Sequence, residues 1–194
     1  MQATINKFWE NTPKEVRLFI AKALVIFIVW QIVYLVFLVP SRLVDAPLSA
    51  FTGNATAWSI NKILNKESVY SKEVEVIERK YNKTQKVKRA YVFENENKIL
   101  GIADGCNGLS LFVLFLGFIF IYPSNLKLKI VYGISGILLL IVVNILRCAG
   151  LGILEIKHPE YTDFAHHYLF NLIAYSVVFS LWIVFSKVAT KQKI

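Results

Sequence analysis

Residues Ile130 to Leu154 read IVYGISGILLLIVVNILRCAGLGIL, 25 residues carrying one formal charge, Arg147. About 20 apolar residues are enough to cross the hydrocarbon of a bilayer as a helix, so this stretch alone puts the chain in a membrane. A charge inside such a span is costly and marks function by default. Arg147 lies seven residues before Leu154, about 10 Å below that end of the helix by rise per residue. Asn144 precedes it by three positions, so the two share a helix face that can turn away from lipid.

Three further windows carry no formal charge: Ala23 to Ser41, Gly105 to Leu126 and Phe164 to Ser186, of 19, 22 and 23 residues. The chain of 194 residues is 56% hydrophobic, with a mean hydropathy of +0.51, far above what the core of a water-soluble domain of this length needs. The expectation is a mainly α, polytopic membrane protein with four transmembrane helices. The window Gly105 to Leu126, the second span, holds the shortest helix, starting near Leu109 and stopped by Pro123. Three regions follow: 1–41, a flank and the first span; 42–104, an insertion; 105–194, the remaining spans and a basic tail.

The first apolar run is too long for a cleavable signal and lacks a clear small-residue cleavage site, so it reads as a retained anchor with Phe8 to Lys22 as its basic lead-in. Lys7, Lys14, Arg17 and Lys22 precede it, Lys127 and Lys129 sit between the second and third spans, and Lys187, Lys191 and Lys193 follow the fourth. With four spans these flanks fall on one side, the cytoplasm, together with both termini. The insertion is then extracytoplasmic, although it carries eleven Lys or Arg against eight Asp or Glu; loops of that length escape the charge rule. Within it, Leu48, Phe51, Ala55, Trp58 and Ile63 have helical spacing and predict a helix lying against the interface. Alternation around Val74, Val76, Tyr91 and Phe93, with turn signals at Asn82 and at Asn95 to Asn97, predicts a small antiparallel sheet. The net charge of +9 serves orientation in the bilayer; no basic stripe is interleaved with base-stacking aromatics, so no nucleic acid partner is expected. No zinc or haem spacing and no phosphate loop occurs, and the reading calls for no metal or organic cofactor.

The polar residues at the outer ends of the spans gather from three segments. Cys106 opens the second span between Gly105 and Gly108, Arg147 and Asn144 sit on the third, and His166 and His167 open the fourth, with Asn171 one turn below. A neighbouring cation or imidazolium turns a thiol, with an ordinary pKa of about 8.5, into a thiolate nucleophile. Histidine can hand a proton to a leaving amine, and the forked donors of arginine can hold an oxyanion or the thiolate. Glycines beside the thiol let a peptide backbone approach. This is equipment for acyl transfer. Cys148 points about 100° away from Arg147 around the helix and reads as a packing residue, Asp104 as a helix N-terminal charge, and His158 as solvated. Two other classes remain open on the residues alone: a membrane assembly or binding protein whose Cys-Arg-His cluster is structural, and a thiol oxidoreductase pairing Cys106 with Cys148.

The motifs DGCNGLSLF, NILRCAG and HHYLFNLIAYSVVF, in this order and spacing, resemble the exosortase/archaeosortase family of integral-membrane cysteine transpeptidases, and within it the short exosortase F type of Bacteroidetes. The resemblance covers roughly Gly101 to Phe185. It implies Cys106 as nucleophile, Arg147 as stabilising cation and His167 as acid/base, the last because its spacing to Asn171 matches the family's His-to-Gly spacing. His166, Asn144, Asn107, Gly108 and Asn171 would support them. Asn107 stands where relatives commonly carry Ser, and Asn171 where they carry Gly; many relatives also have about eight spans. The resemblance further implies cleavage, through a thioacyl-enzyme, of exported proteins bearing a C-terminal sorting motif, a transmembrane helix and a basic tail. It implies a site on the outer face of a bacterial inner membrane, with a small membrane accessory protein as an additional partner.

Overall fold

The computed structural model describes residues 13–80 and 83–191. Lys7, Lys193 and both chain termini, on which part of the orientation argument rests, and Asn82, a turn signal of the predicted sheet, lie outside the described residues. Helix α1 runs Lys14–Ser41 with a π-turn at Tyr34–Leu38. Arg42, in the left-handed region at φ 51°, ends it and turns the chain into α2, Asp45–Leu64. Strands β1 (Val69–Lys80), β2 (Lys83–Glu94) and β3 (Asn97–Ile102) form an antiparallel sheet in that order. The β2–β3 hairpin closes through Asn95 at φ 54°, the positive φ that two-residue hairpin turns require. Helix α3 (Leu109–Ile121), helix α4 (Leu126–Lys157) and a final helix α5 (Pro159–Lys191) complete the chain.

Three of these helices, α1, α4 and α5, are long and apolar enough to cross a membrane. At 13 residues, α3 spans only about 20 Å. Tyr122 is extended at ψ 134° ahead of Pro123, the conformation imposed on a residue before proline, and Asn125 Oδ1 then accepts from Leu128 N at 2.7 Å to start α4. The short helix of the second span and its stop are therefore as the sequence indicates.

Two cores meet at the middle of α4. Below, Leu111, Phe115 and Ile119 of α3 pack with Leu140 of α4 and with Ala174, Val178 and Phe185 of α5. Lipid tails are as apolar as these side chains, so close packing rather than water exclusion holds this layer. The exposed Leu24, Val25, Phe27, Leu138 and Val142 are what a lipid-facing surface looks like. Above, Ile60 of α2, Val69, Ala90, Val92 and Ile102 of the sheet, and Cys148 and Ala149 of α4 form a second core. Here burial removes surface from water, roughly 1.5–3 kcal/mol for each large aliphatic side chain.

A helix forms where the sequence predicts one, with an inner face the apolar stripe did not announce. Its buried side is Asp45, Ser49, Thr52, Gly53, Thr56, Ala57, Ser59 and Ile60, small residues that let α2 approach the sheet and α4 closely. Phe51, Trp58 and Ile63, on the apolar stripe, are more than half exposed. In β2 the inward residues are Ala90 and Val92, while Tyr91 and Phe93 lie on the other face, where Phe93 stacks on Tyr70 at 5.5 Å and Lys98 Nζ sits 3.8 Å over Tyr91.

Candidate active site

Cys106 sits in a short connection pinned at both ends. Leaving β3, the chain makes a single 3-10 turn, Asp104–Cys106, with Cys106 N donating to Ala103 O at 2.8 Å. Asp104 Oδ1 lies 2.7 Å from both Arg42 Nη2 and Arg89 Nη1, and a second Arg42 nitrogen donates to the Lys88 carbonyl. Asp104 thus opens this 3-10 turn as the acidic residue of its first turn and is also an ion-pair anchor to the sheet and to the end of α1. On the other side of the thiol, Asn107 Oδ1 accepts from Leu109 N at 2.9 Å while its Nδ2 donates to Asp45 Oδ1 at 2.8 Å and Ser49 Oγ at 3.4 Å. Asp45 and Asn107 are each 1% exposed. Gly108 follows at φ 91°, where a Cβ would meet Phe112 Cζ at 3.0 Å and Asn144 Nδ2 at 3.1 Å; the conformation and the space both demand glycine.

From α4, Asn144 and Arg147 reach this connection together. Asn144 Nδ2 donates to the Cys106 carbonyl at 3.1 Å, and Arg147 Nη1 donates to Asn144 Oδ1 at 3.3 Å. Arg147 Nη2 lies 3.9 Å from Cys106 Sγ. Arg147 is only 7% exposed, and its Nε has no hydrogen-bond partner among the described residues. Of the two groups it donates to, one is the neutral Asn144 amide and the other the Cys106 sulfur. Cys148 is buried with its Sγ 3.7 Å from the Cys106 carbonyl, in the packing position expected of it, and both cysteines are free thiols.

The histidines divide differently from the family-based expectation. Ala165–Leu169 at the start of α5 is a π-turn. It sets His166 Nε2 3.4 Å from Cys106 Sγ, whereas His167 is exposed, its Nδ1 3.1 Å from the Asp163 carbonyl and 3.2 Å from the Asp163 carboxylate. The two rings stand nearly perpendicular, centroids 5.0 Å apart. Asn171 donates to the His167 carbonyl at 3.1 Å and, with Gly105, Ser110, Arg147 and Tyr175, lines a cavity of about 40 Å³, room for roughly one water or a carbonyl oxygen. His158 stays at the surface, 3.5 Å from Glu160.

Cys106, Arg147, Asn144, Asn107, Gly108 and His166 therefore converge, and His167 does not. Asp45, Ser49, Arg42 and Arg89 complete the setting of the thiol without having been singled out in the sequence. Asp45 had a signal: it opens a helix whose small residues recur as Ser49, Thr52, Gly53, Thr56, the mark of a face packed too closely to be solvated. Among the described residues no group of three or more His, Cys, Asp or Glu is placed to hold a metal ion.

Comparison with curated proteins finds no match, and neither does comparison with solved structures. The model of one family, transmembrane exosortase (Exosortase_EpsH), matches residues 16–186, a span that includes all but the first two residues of α1, the insertion and all of the converging residues. The chain belongs to the transmembrane exosortase family.

Proposed function

We propose that this protein is a cysteine transpeptidase of the short F type that cuts the C-terminal sorting signals of exported proteins at the outer face of a bacterial inner membrane. In this reading α3 with its flanking turns is a fourth span, both termini are cytoplasmic, and the substrate brings a recognition motif, a membrane helix and a basic tail. The observation that carries it is Cys106 Sγ held between His166 Nε2 at 3.4 Å and Arg147 Nη2 at 3.9 Å.

The steps follow from that geometry. Cys106 gives its proton to His166 Nε2 and the thiolate attacks the scissile carbonyl carbon; the oxygen takes up the charge facing the cavity beside Arg147. The carbon–nitrogen bond breaks as His166 returns the proton to the leaving amine, which leaves a thioester on Cys106. An acceptor amine, or water, gives its proton to His166 and attacks the thioester, and the sulfur departs and takes that proton back from His166. His166, not His167, takes the acid/base role because a proton moves only within hydrogen-bond reach.

The test is a comparison of the C-termini of exported proteins, by mass spectrometry, in the host with and without this gene. Proteins that keep their C-terminal apolar segment only in the deletion strain are the expected result; identical C-termini in both strains remove the proposal. Arg147→Lys refines it. Lysine keeps the charge but loses the planar fork and the bond to Asn144, so cleavage should fall by about 10²–10³, the cost of one lost oxyanion donor. Turnover within a few-fold of wild type would show that charge alone suffices.

A further inference from the structure

A second, larger cavity lies in the membrane layer. It has a volume of about 620 Å³ and runs between α1, with Phe19, Phe27 and Trp30, and α5, with Phe179 and Trp182, over α3 as its floor. No Asp, Glu, Lys or Arg lines it. Its extent along the floor, from Ser110 to Ile121, is about 16 Å. Ser110 and Tyr175 line this groove and also the small cavity beside Arg147, so the two spaces adjoin at the outer end. Mid-floor, Gly117 faces open space: a Cβ there would have nothing within 4 Å. A bare backbone between aromatic walls is the surface against which a second helix packs closely in a membrane.

We propose that this groove is the docking site for the apolar helix of the substrate, which lies along α3 with its outer end at Ser110 and Tyr175 and the connected peptide bond at Cys106. The inference rests on the cleavage reading above and adds where the substrate lies and from which side it enters, laterally from the lipid between α1 and α5. The continuity of the groove with the site selects a peptide helix over an acyl chain or a second copy of the protein, since the segment that fills the groove must continue into the space where the thiol reacts. An uncharged lining suits a membrane-spanning helix and would reject a charged loop.

The experiment needs no known substrate. The full-length protein in phosphatidylcholine nanodiscs is mixed with a synthetic Leu/Ala helix of about 20 residues, with a benzophenone at its centre and lysines at its C-terminal end, and irradiated. Adducts should map to the walls and floor, at α1 residues such as Phe27 and α3 residues such as Val113. They should fall about tenfold in Gly117→Trp, which fills the floor, and in the smaller Gly117→Leu. Leu138→Trp, on the exposed side of α4, should leave them unchanged. Maleimide labelling of Cys106 should be equal in all three variants, which shows the thiol site intact. Adducts spread evenly over the lipid-facing surface, insensitivity to both Gly117 variants, or a photoactivatable phosphatidylcholine that labels the groove and is not displaced by the peptide would each overturn the proposal. So would crosslinks joining α3 of two copies. None of these readouts involves cleavage, so a failed groove and a failed enzyme are told apart.

Discussion

Cys106→Ser should leave a folded, membrane-inserted protein that no longer processes its substrates. The substitution exchanges one atom, and the bonds that fix the connection run through the Cys106 backbone carbonyl to Asn144 and through its neighbours Asp104 and Asn107, none of which involves the sulfur. A hydroxyl beside the same imidazole is ionised far less readily than a thiol, and the 3.9 Å contact to Arg147 suits a large, polarisable anion. Loss of a nucleophile of this kind costs on the order of 10⁶ in rate, so C-terminal processing should be undetectable. Cys106→Ala should behave alike. The paired measurement is labelling with a membrane-impermeant maleimide: wild type should take one label, at the half-buried Cys106, because Cys148 is 1% exposed. Normal processing by the alanine variant would end the thioacyl mechanism; a stable Cys106–Cys148 disulfide in membranes would favour redox chemistry instead.

The histidines give the second large effect and separate the geometry from the family spacing. His166→Ala removes the group 3.4 Å from the thiol and should lower cleavage by about 10²–10⁴, the usual contribution of a positioned acid/base. His167→Ala removes an exposed ring whose partner is Asp163, one turn back on its own helix, and should stay within about twofold, since a surface pair of that kind is worth under about 1 kcal/mol. Cleavage is to be measured in membranes at matched protein levels. An inactive His167→Ala beside an active His166→Ala would mean that the ring orientations reverse when substrate binds; activity in both would leave the reaction without its proton carrier.

Most of the site was readable because it lies on regular structure. Asn144 and Arg147 are i and i+3 on an unbroken helix, so a sequence count places both on one face, and the structure puts both on Cys106. The stop at Pro123 and the hairpin at Asn95 are equally local. The histidine assignment rests on the family's spacing from His167 to Asn171, and a count along the sequence treats the segment as a uniform α-helix. On such a helix His167 falls on the stripe of Ala174 and Val178, seven residues above the first of them; the π-turn adds one residue to that turn, and His166 takes the place. No periodicity reveals an extra residue before the structure is seen. The Asp45–Asn107 bond and the Arg42–Asp104 ion pair each join residues 62 apart in sequence, and which carboxylate meets which partner is settled only by the packing of α2 and the sheet. The small polar inner face of α2 was not legible for a different reason: hydrophobicity identifies the stripe most at home in an apolar setting, and beside a membrane that setting can be outside the protein.

The π-turn at Ala165–Leu169 also works as a phase shifter. Below it, α5 answers to the lipid and to the rings of α3; above it, the same rod answers to a thiol fixed to the sheet. Because one turn with an extra residue separates the two, the angular setting of His166 is offset from the α-helical register of Phe185 and Ala189 many residues away. The membrane half can therefore drift in sequence, trading one apolar contact for another, without turning the imidazole off its target.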